Sequence, residues 1–181
     1  MQHSTKNKFF HKTLSVFMAV LSPIIFVTSV QAEEQIPLSE TRCLQKSGYG
    51  PAHEFSPEIR EVTIGNQLFD SIFSLGVKNF SEYKAYIVCK IPVKKQSHST
   101  EFRVKFGIKD DANYEAAKRT KVTFFLDGQA IESQVLEIGQ LATQKLNVTN
   151  NNNLSIEVTC TQQLYNFDYC PAVEFVEASF L

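Results

Sequence analysis

Glu101-Phe102-Arg103-Val104-Lys105-Phe106-Gly107-Ile108-Lys109-Asp110-Asp111 decides the fold class of this chain. Phe102, Val104, Phe106 and Ile108 alternate with Glu101, Arg103, Lys105 and Gly107. A period of two gives a strand one dry face and one wet face. Ten residues on, Lys121-Val122-Thr123-Phe124-Phe125-Leu126 and Ala130 to Ile138 flank Asp127-Gly128. A pair of this kind between two apolar runs is the strongest short hairpin signal, because both central residues tolerate positive φ.

The same grammar extends outward. Glu61 to Ile64 leads into a Gly65-Asn66 turn, and Gln67 to Leu75 returns. Lys84 to Ile91, Gln144 to Val148 and Leu154 to Thr159 are further short strands, with Asn150 to Asn153 as a turn. Val173 to Leu181 closes the set, and Phe175-Val176 breaks its alternation, which predicts a bulge. No long helical pattern and no repeat occurs. Eight or nine short strands with turns at this spacing predict an all-β antiparallel sandwich or jelly roll.

The first thirty-two residues carry a different signal. Lys6, Lys8 and Lys12 precede an apolar run from Leu14 to Val30, and Val30-Gln31-Ala32 places small residues at a cleavage site. This is the layout of a secretory signal peptide over 1–32, with an uncleaved anchor as the rival reading. Cleavage leaves no membrane span and a secreted or periplasmic domain. It also leaves fifteen basic side chains against nineteen acidic, a net −4. That balance argues against nucleic acid as a partner. Residues 33–59 read as an irregular amino-terminal segment, and 60–181 as the folded domain.

Cys43, Cys89, Cys160 and Cys170 survive processing, and an even number in an exported chain favours disulfides. Three pairings are open. Cys160–Cys170 with Cys43–Cys89 is preferred, since the first closes a short polar loop and the second ties the irregular segment to a strand. Metal binding is the rival, without CxxC spacing to support it.

Set in order, these motifs resemble a family. Val62-Thr63-Ile64-Gly65-Asn66-Gln67-Leu68-Phe69-Asp70, then Phe106-Gly107-Ile108-Lys109-Asp110-Asp111, then the Asp127-Gly128 hairpin and the closing Glu174-Phe175-Val176-Glu177-Ala178-Ser179-Phe180 are similar to the NPCBM carbohydrate-binding group of secreted bacterial proteins. The likeness covers 60–181. It implies a galactose-binding-like jelly roll and a non-catalytic role in holding glycans. The chain has Gly76-Val77-Lys78-Asn79 where the family has Gly-x-His-Ala.

Chemistry read residue by residue agrees on the absence of an enzyme motif. His53 and His98 lie in polar loops with no triad spacing, and there is no P-loop, HExxH or dinucleotide fingerprint, so no cofactor is expected. Asp110 and Asp111 are a weak Ca²⁺ candidate, with a simple turn as the competing reading. With no Trp in the chain, tyrosines are the remaining rings with both an apolar face and a hydroxyl for a sugar. Tyr49, Tyr114, Tyr165 and Tyr169 fall in loops, with Asn113, Asn166 and Asp168 beside them to bond hydroxyls. The cluster from Tyr165 to Tyr169 is the densest, and a Cys160–Cys170 bridge would stiffen it. The expected partner is a glycan, with an envelope protein as the alternative.

Overall fold

The computed structural model describes residues 35–47, 53–54, 57–76, 84–92, 100–112, 119–161 and 171–181. All of them lie in one compact unit, Glu33–Leu181. The strands are β1 (Ile36–Pro37), β2 (Cys43–Ser47), β3 (His53–Glu54), β4 (Arg60–Ile64), β5 (Gln67–Ser71), β6 (Phe73–Leu75), β7 (Lys84–Lys90), β8 (Glu101–Gly107), β9 (Arg119–Leu126), β10 (Gln129–Glu137), β11 (Leu141–Asn147), β12 (Asn153–Cys160) and β13 (Val173–Phe180). They build an antiparallel β-sandwich, as the alternation requires.

One sheet has six strands, in the order β10-β9-β12-β7-β2-β3. The other has five. It runs β1-β13-β8-β11, and β6 joins β13 on the same edge as β1. The dry faces meet between the sheets. Phe102, Val104, Phe106 and Ile108 are completely buried, and Phe106 of one sheet meets Phe124 of the other edge to face at 5.5 Å. Phe73 stacks on Phe175 at 4.4 Å and Phe102 touches Phe180 at 4.9 Å. Phe73, Phe102, Phe106, Phe124, Phe175 and Phe180 are thus core.

The bulge in β13 falls where the alternation broke. Phe175 pairs with Phe106, but the next partner of β8 is Glu177, which leaves Val176 unmatched. That extra residue shifts the phase, so Phe175, Ala178 and Phe180 all face inward despite their uneven spacing. Both turns read from sequence have positive φ at both centres: 59° and 61° at Gly65-Asn66, 45° and 87° at Asp127-Gly128. These are the mirror-image turns that match strand twist.

The amino-terminal segment differs from the sequence expectation. Within 33–59, β1 pairs with β13 and β2 pairs with β7. Cys-Leu-Gln-Lys-Ser has no clear apolar period. Its strand state comes from pairing with β7, which a local pattern does not encode. The Gln67–Leu75 run is also divided, since the chain leaves the β4–β5 hairpin and enters the five-stranded sheet as β6. These additions bring the strand segments beyond eight or nine.

Cys43 and Cys89 are directly opposed across β2 and β7 and form a disulfide. The bridge spans 46 residues of sequence, and closing a loop of that length stabilises the fold by about 4 kcal/mol in the chain-entropy account. Cys160 is also disulfide-bonded. Cys170, the partner expected for it, lies outside the described residues.

The β4–β5 hairpin covers part of the outer face of the five-stranded sheet. Val62 and Ile64 are buried against it. Arg60 donates two hydrogen bonds to the Glu174 carboxylate at 2.8 and 3.0 Å, and Ser71 Oγ donates a third at 2.8 Å. The Lys105 ammonium sits 4.6 Å from the centre of the Phe69 ring.

Candidate functional site

The strand registers define two ends of the sandwich. At one, Ser47 of β2 opposes Ala85 of β7, and Cys160 of β12 opposes Thr120 of β9. Leu75 of β6 opposes Val173 of β13 in the other sheet. Thr120 Oγ1 donates to the Pro171 carbonyl at 3.0 Å, which ties the two sheets together here. The opposite end holds Cys43–Cys89 and the Asp127-Gly128 turn. We call the first the connection end and the second the disulfide end.

Tyr49, Asn113, Tyr114, Tyr165, Asn166, Asp168 and Tyr169 lie outside the described residues. The described residues that flank them are placed. Ser47 precedes Tyr49. Ala112 and Arg119 bracket Asn113 and Tyr114. Thr161 and Pro171 bracket the Tyr165–Tyr169 cluster. Ser47, Arg119, Thr161 and Pro171 belong to the connection end. The antiparallel topology, not the sequence, brings these anchors together.

Polar contacts dress that end. Arg119 forms an ion pair with Glu137, Nη2 to Oε1 at 2.6 Å and Nε to Oε1 at 2.8 Å. Thr161 Oγ1 donates to the Arg119 carbonyl at 3.2 Å. Lys84 pairs with Glu157 at 3.0 Å.

Asp110 and Asp111 are placed as well. The Asp110 carboxylate accepts the N–H groups of Gly65 at 2.8 Å and Asn66 at 3.0 Å, while its own N–H donates to the Thr63 carbonyl at 2.9 Å. It fastens the tip of a hairpin some 45 residues away in sequence. Asp111 pairs with Lys109 at 3.1 Å. Among the described residues no group of three or more His, Cys, Asp or Glu side chains could hold a metal ion. Among the same residues no helix is long and apolar enough to cross a membrane.

The sequence reading missed one surface. On the outer face of the six-stranded sheet, Lys46, Tyr86, Glu157 and Thr123 form one cross-strand row, and Lys84, Thr159 and Lys121 form the next. Each strand shows its own alternation in sequence, but the row depends on the non-sequential strand order.

No family model and no curated protein matches the chain. Solved structures do. The chain is similar to the CBM51 carbohydrate-binding module from Clostridium perfringens GH95 in complex with methyl-galactose, with a TM-score of 0.58 and 14% identity over 82% of this chain and 100% of that one. It is also similar to CBM51-2 and INT domains from Clostridium perfringens ZmpB, solved with GlcNAc, with a TM-score of 0.54 and 15% identity. There the match covers 82% of this chain and 31% of that chain. At these identities the likeness is one of fold.

Proposed function

We propose that this protein is a non-catalytic carbohydrate-binding module of NPCBM-like kind, exported to the periplasm or beyond after cleavage of 1–32. Its sugar site is formed by the connections carrying Tyr49, Tyr114 and the Tyr165–Tyr169 cluster. The observation that carries the reading is the match over the whole length of a module solved with methyl-galactose. The shared end of the residues flanking those three connections supports the location.

The chemistry follows from the residue types. A tyrosine ring stacks on the apolar face of a pyranose, and Asn166 and Asp168 take its hydroxyls through paired donors and acceptors. A disulfide at Cys160 holds the base of the last connection, so less ordering entropy opposes binding.

A glycan array with the processed protein, including galactosides and GlcNAc, tests this. Binding weakened at least about tenfold by Tyr165→Ala with Tyr169→Ala is the expected outcome, given the usual worth of buried aromatic anchors. A blank array, together with recovery of an envelope protein by pull-down, would replace the reading with a protein-interaction module on the same fold.

A further inference from the structure

We infer that the outer face of the six-stranded sheet is a second binding surface, for an acidic polysaccharide chain. The inference rests on the carbohydrate reading above but concerns a different face. It begins with charge. The processed chain is net acidic at −4 by composition, yet the described side chains of this face reverse that sign. Lys46, Lys84, Lys90, Arg119 and Lys121 occupy outward positions, because Ala85, Ile87 and Cys89 of β7, and Thr120, Val122 and Phe124 of β9, point into the core. The acids among them, Glu137 and Glu157, are both engaged, with Arg119 and Lys84. Lys46 and Lys121 are left without an ion pair among the described residues.

The position of these lysines fits a polymer. Lys121 on β9 and Lys46 on β2 stand three strand spacings, or about 14 Å, apart in adjacent rows. Lys46 lies in the next row beside the part-exposed Tyr86. A flat face with separated ammonium groups attracts a line of carboxylates or sulfates. The Tyr86 ring offers a surface to a sugar, and the hydroxyls of Thr123 and Thr159 both donate and accept. Lysines act as point charges and demand no planar bidentate partner, which suits an anion on a mobile chain. Charge complementarity thus selects an anionic glycan over a neutral one.

The test uses the processed protein on immobilised polygalacturonate and on its methyl-esterified, uncharged form. Binding is expected to the charged polymer alone, and to fall as NaCl rises from about 50 to about 500 mM. Lys46→Gln with Lys121→Gln is expected to weaken it roughly tenfold or more. Lys109→Gln with Lys145→Gln makes the same change in net charge elsewhere and is expected to leave it intact. Tyr165→Ala with Tyr169→Ala is expected to retain it while losing neutral sugars, so failure of the loop site and failure of this face read out separately. The inference is overturned if polygalacturonate is not bound, if Lys46→Gln with Lys121→Gln binds like the parent, or if the control pair loses as much.

Discussion

Two residues show how much a single position decides. Asp127 was legible as a turn residue, and its φ of 45° agrees. Its carboxylate does more than sequence could say. It accepts the N–H groups of Asn152 and Asn153 at 3.1 and 2.9 Å and the Asn153 side-chain amide at 3.0 Å, so it joins the β9–β10 turn to the start of β12. The Asn152 backbone N–H is the main cause that holds this carboxyl below the ordinary aspartate range. A depressed folded value means stability that is present above the unfolded value and lost as pH falls through the folded one. Asp127→Asn should therefore cost about 1 kcal/mol near neutrality, discounted for exposure, and the gap should close below about pH 4 in urea titrations. Gly107 was legible only as a polar-phase position in β8. A Cβ there would meet the Gln140 carbonyl oxygen at 2.6 Å and Ile64 Cγ2 at 2.9 Å. Gly107→Ala should destabilise by about 2 kcal/mol through overpacking, measured as a lower urea midpoint.

At the scale of elements, the β4–β5 hairpin depends on one buried acid. Glu174 is 1% exposed and takes Arg60 and Ser71. Arg60→Ala would remove that carboxylate's cation, and since Arg60 is itself 45% exposed, water can replace part of it, so the cost is about 1 to 2 kcal/mol. Faster hydrogen exchange at Val62 and Phe69, with β9 and β12 unchanged, would locate the loss in the hairpin; uniform exchange throughout would contradict it. The hairpin and its turn were readable because a mirror-image turn needs particular residues. Its seat on the sheet was not, because Arg60 and Glu174 lie 114 residues apart. β10 teaches a related lesson. It is an edge strand with Ile131 and Val135 exposed, yet the register shift between Ala130 and Glu132, and the charged Glu132 opposite the inward Phe124, discourage pairing with another chain.

At the scale of the molecule, alternation and turn chemistry made the sandwich legible, since each strand advertises its own dry face. The order of strands was hidden, and the cross-strand rows of the six-stranded sheet were hidden with it. β13 carries the largest consequence. It lies between β8 on one side and β1 and β6 on the other, and Gln35 at the front of β1 donates to Ser179 across 144 residues. Removing Val173–Leu181 should abolish cooperative unfolding, seen as loss of near-ultraviolet dichroism, because the core loses Val173, Phe175, Ala178 and Phe180. Synthesis runs the other way: the other twelve described strands are made before β13. Until it emerges, β8 and β11 lack the strand that joins them to β1 and β6. The pairings of β13 with β1 and β6 can therefore form only once residues 173–180 have been made.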